Sequence, residues 1–221
     1  QAMWSSEVTN MIITGIWETL YMTLVSTLVG YVIGLPMGII LTVSDKDGIK
    51  PNAVLYKILD VIANIVRSVP FIILLVLLIP FTRLVVGKSY GSTATIVPLV
   101  IAAAPYIARM VESSLKEVDA GVIEAARSMG ASNFTIITKV MLVEARTSLL
   151  VGATITLGTI LGYSAMSGAV GGGGLGAIAI RYGYTRWQTD IMIVTVILLV
   201  ILVQIFQMVG TTLANRLDKR R

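Results

Sequence analysis

Charged residues are so sparse along this chain that the gaps between them define its elements. Twenty-six uncharged residues separate Glu18 from Asp45, and a second apolar run extends from Val61 to Thr82 with only Arg67 inside it. A third covers Ser89 to Ala108 and continues past Arg109. Between Arg146 and Arg181 lie 34 uncharged residues, too many for one span and too few for two with a turn. The Gly171-Gly172-Gly173-Gly174 tract divides them, because consecutive glycines favour neither helix nor strand. The fifth run is Ile191 to Asn215. Since about 20 apolar residues cross the hydrocarbon core as a helix, the pattern predicts an all-α membrane protein with five transmembrane helices. They fall at about 15–44, 55–80, 90–115, 142–169 and 188–215, in one membrane domain over 1–221.

Composition narrows the function classes. Of 221 residues 56% are hydrophobic and 13% charged, against about 25% charged in a soluble domain, so the surface of a soluble enzyme cannot be covered. A chain this apolar would also collapse rather than stay disordered. The absence of Cys excludes disulfides and thiolate metal sites, and the absence of His removes the commonest general base and metal ligand. The net charge of +5 reads as basic cytoplasmic loops in a multi-pass protein of the cytoplasmic (inner) membrane, with lipid and not nucleic acid as its surroundings. Eleven basic residues (Lys46, Lys50, Lys57, Lys116, Arg127, Lys139, Arg146, Arg216, Lys219, Arg220 and Arg221) fall on one side and four (Arg83, Lys88, Arg181 and Arg186) on the other. That bias predicts an N-terminus outside and a C-terminus in the cytoplasm. The first apolar run exceeds the roughly 7 to 15 residues of a cleavable signal's apolar core, so no such signal is expected.

Within the spans, Gly30, Gly34 and Gly38, and likewise Gly158 and Gly162, recur every four residues, a spacing that lets helix backbones pack closely inside one subunit. Pro36 and Pro70 are expected kinks. Arg109 and Glu112 sit three apart and are expected to pair on one face, while Arg67 and Arg109 interrupt their spans. The stretch 116–141 is long for a connection without a task. It predicts a short cytoplasmic helix: Asp119 caps it, Val122, Ala126 and Met129 share a face, and Gly130 ends it in a left-handed conformation. Ser132 or Asn133 then caps a second helix through Phe134 and Val140 into the fourth span. The small-residue surface at Ala125 and Ala126 suits docking into a partner's groove.

The string Glu124-Ala125-Ala126, three residues, Gly130, then Val140 and Leu142 resembles the EAA loop of ABC importer permeases. Val143 stands where that family usually has Pro, which bears on the turn into the fourth span. Ile16-Trp17-Glu18-Thr19-Leu20, Arg67-Ser68-Val69-Pro70-Phe71, Ala104-Pro105-Tyr106-Ile107-Ala108-Arg109 and Gly162-Tyr163-Ser164-Ala165-Met166 are similar to methionine importer permeases. The resemblance implies a second copy of the chain, two ATP-binding cassette subunits and an extracytoplasmic substrate-binding protein as partners. It also implies that Glu124, Ala125, Ala126, Arg127, Met129 and Gly130 form the ATPase-coupling helix. ATP and Mg would then sit on the partner subunits, with no cofactor in this chain and no catalysis by it.

Two strings test whether the chain holds nucleotide itself. Gly87-Lys88-Ser89 ends like a phosphate loop, but Thr82 occupies the position of the leading Gly. Gly171, Gly173 and Gly176 match a dinucleotide fingerprint, a spacing that any glycine run meets without the required βαβ context. Tyr163, Ser164, Met166 and Ser167, closing the fourth span before the glycine tract, are candidate pore or gate residues for a small amphipathic solute. Permeation of another small polar solute is an alternative. A self-sufficient channel or ion-coupled carrier would call for ionisable groups at mid-span, and a membrane hydrolase for a base beside Ser164 or Ser167.

Overall fold

The computed structural model describes residues 5–218, and the regular elements among them are all helical. Lys219, Arg220 and Arg221 of the charge count lie outside the described residues. Helix α1 (Ser6–Ser44) begins well before the expected residue 15, encloses Glu18, and runs through Pro36 without ending there. The expected second span is interrupted: α2 (Ala53–Ser68) stops, Pro70 takes φ −56° and ψ 135°, and α3 (Phe71–Leu77) and α4 (Ile79–Val86) follow. Pro70 lacks an N–H and disfavours helical geometry at Val69, so the helix ends there. Next come α5 (Ser92–Lys116) and α6 (Ala120–Ser128). The passage into the fourth span is α7 (Asn133–Thr135), a π-helical turn Ile136–Met141 and α8 (Leu142–Glu144), with Val143 inside that last turn. Helix α9 (Arg146–Ser167), a 3₁₀ turn Gly168–Val170, α10 (Gly174–Ile178), a second π-helical turn Ala179–Tyr184 and α11 (Thr189–Leu217) complete the order. Among the described residues four segments are long and apolar enough to cross a membrane, and a fifth if α2 and α3 count as one broken span.

Two compact units share these helices. One comprises Gly30–Ser68, Ala103–Thr156 and Met208–Arg221. In it the small stripe of α1 lies on α5: a Cβ added at Gly34 would stand 2.6 Å from the Ala104 carbonyl oxygen, and one at Gly38 2.6 Å from that of Ala108. The expected close packing therefore holds for this stripe, and it buries Ile107, Ala108 and Val111.

The other unit comprises Gln1–Val29, Val69–Ala102 and Leu157–Gln207. Ile12, Leu175, Ile178 and Ile191 form an apolar core here. The glycine tract is an ordered fold-back. Gly171 and Gly174 adopt φ +86° and +79°, the Gly91 N–H donates to the Gly171 carbonyl at 2.8 Å and the Gly172 N–H to that of Ser167 at 2.9 Å. The Gly174 N–H donates to Glu18 Oε2 at 2.7 Å and the Leu175 N–H to Thr19 Oγ1 at 2.9 Å. Gly158 and Gly162 correct the expectation of packing inside one subunit, since an added Cβ at either meets nothing within 4 Å.

Candidate functional site

Local chemistry builds α6 and both its ends. Asp119 Oδ1 accepts from the Gly121 N–H at 2.7 Å, the side-chain cap the first turn needs. At the other end Gly130 takes φ +81°, and the Ala131 N–H returns to the Ala126 carbonyl at 3.1 Å. That closure fits a left-handed glycine stop. Of the two candidates for the next cap, Ser132 is the one used, its Oγ accepting from the Thr135 N–H at 3.2 Å.

The sides of α6 differ. Ala126 is buried and Ile123 half-buried, whereas Val122, Ala125 and Met129 are exposed, Met129 at 83%. The expected common face at Val122, Ala126 and Met129 is thus split. Successive residues turn by about 100°, and the inward direction falls between Ile123 and Ala126. Ala126 therefore leaves the outward surface to Ala125, Val122 and Met129, with exposed Phe134 just beyond. Arg127 Nη2 donates to the Ile49 carbonyl at 2.9 Å. A cavity of about 730 Å³ adjoins α6, walled by Asp45, Gly48, Ile49, Lys116, Glu124 and Arg127 among others.

The same unit contains an ion network. Arg109 Nη1 donates to Glu112 Oε2 at 2.7 Å, the expected pair, and Arg109 also bridges Asp60 and hydrogen-bonds Asn64 Oδ1 at 2.9 Å. Lys116 Nζ lies 2.8 Å from Glu112 Oε1 and 2.7 Å from Asp45 Oδ2. The Tyr56 hydroxyl donates to Glu112 Oε1 at 3.1 Å. Glu112 is only 5% exposed, so two cations and a phenol offset its loss of water. The hydrogen bond from Lys116 holds the Asp45 carboxyl below its ordinary value, with burial opposing it. Lys116 was within reach of sequence reasoning, being four residues after Glu112 on one helix. Asp45 and Asp60 carry no spacing signal, because they come from other elements. Arg67 is exposed at the end of α2, outside the network.

In the other unit, Tyr163 stacks on Phe71 with ring centroids 4.7 Å apart and planes 5° from parallel. Ser164 Oγ donates to the Leu161 carbonyl at 2.7 Å and Ser167 Oγ to that of Ser164 at 2.6 Å, both buried. Met166 is half exposed. Phe71, Glu18 and Thr19 fall in the sequence only within strings that carry the resemblance and have no role of their own there; the helix break before Phe71 and a carboxylate among apolar residues at Glu18 were the available signals. Among the described residues no group of three or more Asp or Glu is placed to hold a metal ion.

Residues 34–221 match the family described as binding-protein-dependent transport system inner membrane component. A probable D-methionine transport system permease protein of Vibrio cholerae is 49% identical over 99% of this chain and 97% of its own length. The methionine import system permease protein of Bacillus subtilis is 44% identical over 99% of this chain and 100% of its own. A solved structure of the MetNI methionine ABC transporter in inward-facing conformations contains a chain that superposes with a TM-score of 0.96 at 50% identity, covering 98% of this chain and 100% of that one. With a helical fold of several apolar spans and a family match over most of its length, this chain is a multi-pass membrane protein that belongs to the binding-protein-dependent transport system inner membrane component family.

Proposed function

We propose that the chain is the transmembrane permease of an ATP-driven methionine importer in the cytoplasmic membrane. It works as two copies with two separate ATP-binding cassette subunits and an extracytoplasmic binding protein, its N-terminus outside and its C-terminus in the cytoplasm. The observation that carries this reading is α6, a short helix capped by Asp119, stopped by Gly130, and showing Val122, Ala125 and Met129 to the surroundings. An outward apolar face on a rigid short helix suits insertion into a partner's groove. The names of the Vibrio cholerae and Bacillus subtilis relatives and of the MetNI structure support methionine as solute and an ATP-driven partner.

Force enters from outside the chain. Only an interaction that differs between two states shifts their balance, and nucleotide with its Mg binds and is hydrolysed on the partner. Residues 124–130 receive that motion. Tyr163, braced by Phe71, and half-exposed Met166 line the gate, while Ser164 and Ser167, hydrogen-bonded to their own backbone, shape the helix behind them. The open faces of Gly158 and Gly162 and the largely unburied apolar surface of α11 suit cover by a second copy and by lipid.

The test is reconstitution with the ATPase subunit and the binding protein, measuring ATP hydrolysis and uptake across amino acids. Methionine should stimulate both, and stimulation by an unrelated solute alone would contradict the reading. A membrane-impermeant amine reagent should label Lys88 from outside and Lys139 only from inside; the reverse pattern would overturn the orientation.

A further inference from the structure

Arg127 stands among the residues expected to meet the ATPase, yet its guanidinium turns back to its own chain and donates to a carbonyl 78 positions away, at Ile49. Ile49 belongs to a tightly closed connection. The Gly48 N–H donates to the Asp45 carbonyl at 2.9 Å, the Lys50 N–H to that of Val43 at 3.1 Å and the Asn52 N–H to that of Ser44 at 2.9 Å. A Cβ at Gly48 would collide with the backbone of Thr42 and Val43, so this turn moves as one piece with the end of α1. Asp45, at its start, holds Lys116 on α5 at 2.7 Å. Beside α6 the cavity lies between the helix and the turn, while the three residues 117–119 join α6 directly to the end of α5. Interiors transmit displacement through packing, so across this gap the Arg127 hydrogen bond ties α6 to the turn. The opposite side of α6 rests on the π-helical turn 136–141.

We propose that Arg127 is a strut, a positioning residue that carries displacement of α6 to the 45–52 turn and so to the end of α1, and is not itself a contact with the ATPase. The proposal rests on the reading that α6 docks on the ATPase, through the face of Val122, Ala125 and Met129. A guanidinium fits because its planar fork keeps a fixed direction at a carbonyl, whereas an ammonium is a flexible point charge.

The test uses the assembled transporter in vesicles. The chain has no Cys, so Ala125→Cys gives a unique thiol whose cross-linking to the ATPase subunit reports docking, in parallel with uptake per ATP hydrolysed. Arg127→Ala should lower uptake per ATP about tenfold, the factor for one hydrogen bond from a charged donor, and leave capture unchanged. Arg127→Lys should recover part of the loss. Unchanged uptake per ATP in Arg127→Ala, or capture falling together with uptake, would each overturn the strut. Absence of capture in the Ala125→Cys parent would overturn the docking reading, and the strut with it.

Discussion

Glu112 and Gly174 are each fixed to segments distant in sequence, but by opposite means. Around Glu112 the ties are long charged side chains: Arg109 and Lys116 on its own helix reach Asp60 and Asp45 on two other elements. Around Gly174 the ties are backbone N–H groups held by Glu18 and Thr19, with α1 so close that an added Cβ would crowd Thr19 and Met22. Flexible arms tolerate small changes of shape and fail when charge is lost. Close backbone approach tolerates changes of charge elsewhere and fails when a single atom is added. The first arrangement is therefore sensitive to deletion and the second to insertion.

The largest effect is expected where the charge side of this contrast is broken. Glu112→Ala leaves Arg109 and Lys116 without their shared carboxylate and should cost about 3–5 kcal/mol, read by denaturant unfolding in detergent; a loss under about 1 kcal/mol would mean the network is ornamental. Adding atoms at the helix contact comes next. Gly38→Val should cost about 1–3 kcal/mol because the Ala108 carbonyl and Val111 are in the way. Gly158→Val, with nothing within 4 Å, should change the stability of the isolated chain by no more than about 0.5 kcal/mol. Equal losses at both would erase the distinction.

Gly174→Ala sharpens the other side: at φ +79° a Cβ alone costs about 1–2 kcal/mol, and hydrogen exchange at Leu175 should rise if the fold-back loosens. The smallest effect belongs to Asp45. Its carboxyl is held below its ordinary value by Lys116, so its contribution is complete above the ordinary aspartate range near pH 4. It disappears as pH falls through the lowered folded value. Asp45→Asn should therefore remove a small stabilisation at neutral pH and flatten the acid limb of the stability profile. A steeper acid limb would contradict the pairing.

What the chain reveals before folding is what neighbours in sequence do to one another. Asp119, Gly130 and Ser132 act within four residues, and each end of α6 is as the local pattern predicts. Gly30, Gly34 and Gly38 announce a close contact, and Arg109 with Glu112 a pair, because helical spacing places them on one face. The remainder depends on partners the spacing cannot name. Asp60 and Asp45 join the network from other elements, and Glu18 meets a segment 156 positions away. Gly158 and Gly162 carry the same spacing as the α1 stripe, yet an added Cβ at either meets no described atom within 4 Å. Ala126, read as outward, turns inward because the direction of burial, unlike the width of an apolar stripe, is set by what α6 rests upon. Ser164 and Ser167 stand out as polar groups in an apolar span, but their spacing does not announce that each hydroxyl takes a backbone carbonyl of its own helix.

The account turns on α6 as a rigid body whose shape is fixed by Gly130. At φ +81° with nothing within 4 Å of an added Cβ, Gly130→Val changes backbone preference and little else. Substrate uptake and membrane insertion measured on this variant in the assembled transporter are the most direct test. The expected result is normal insertion with uptake lost; normal insertion with normal uptake would contradict it.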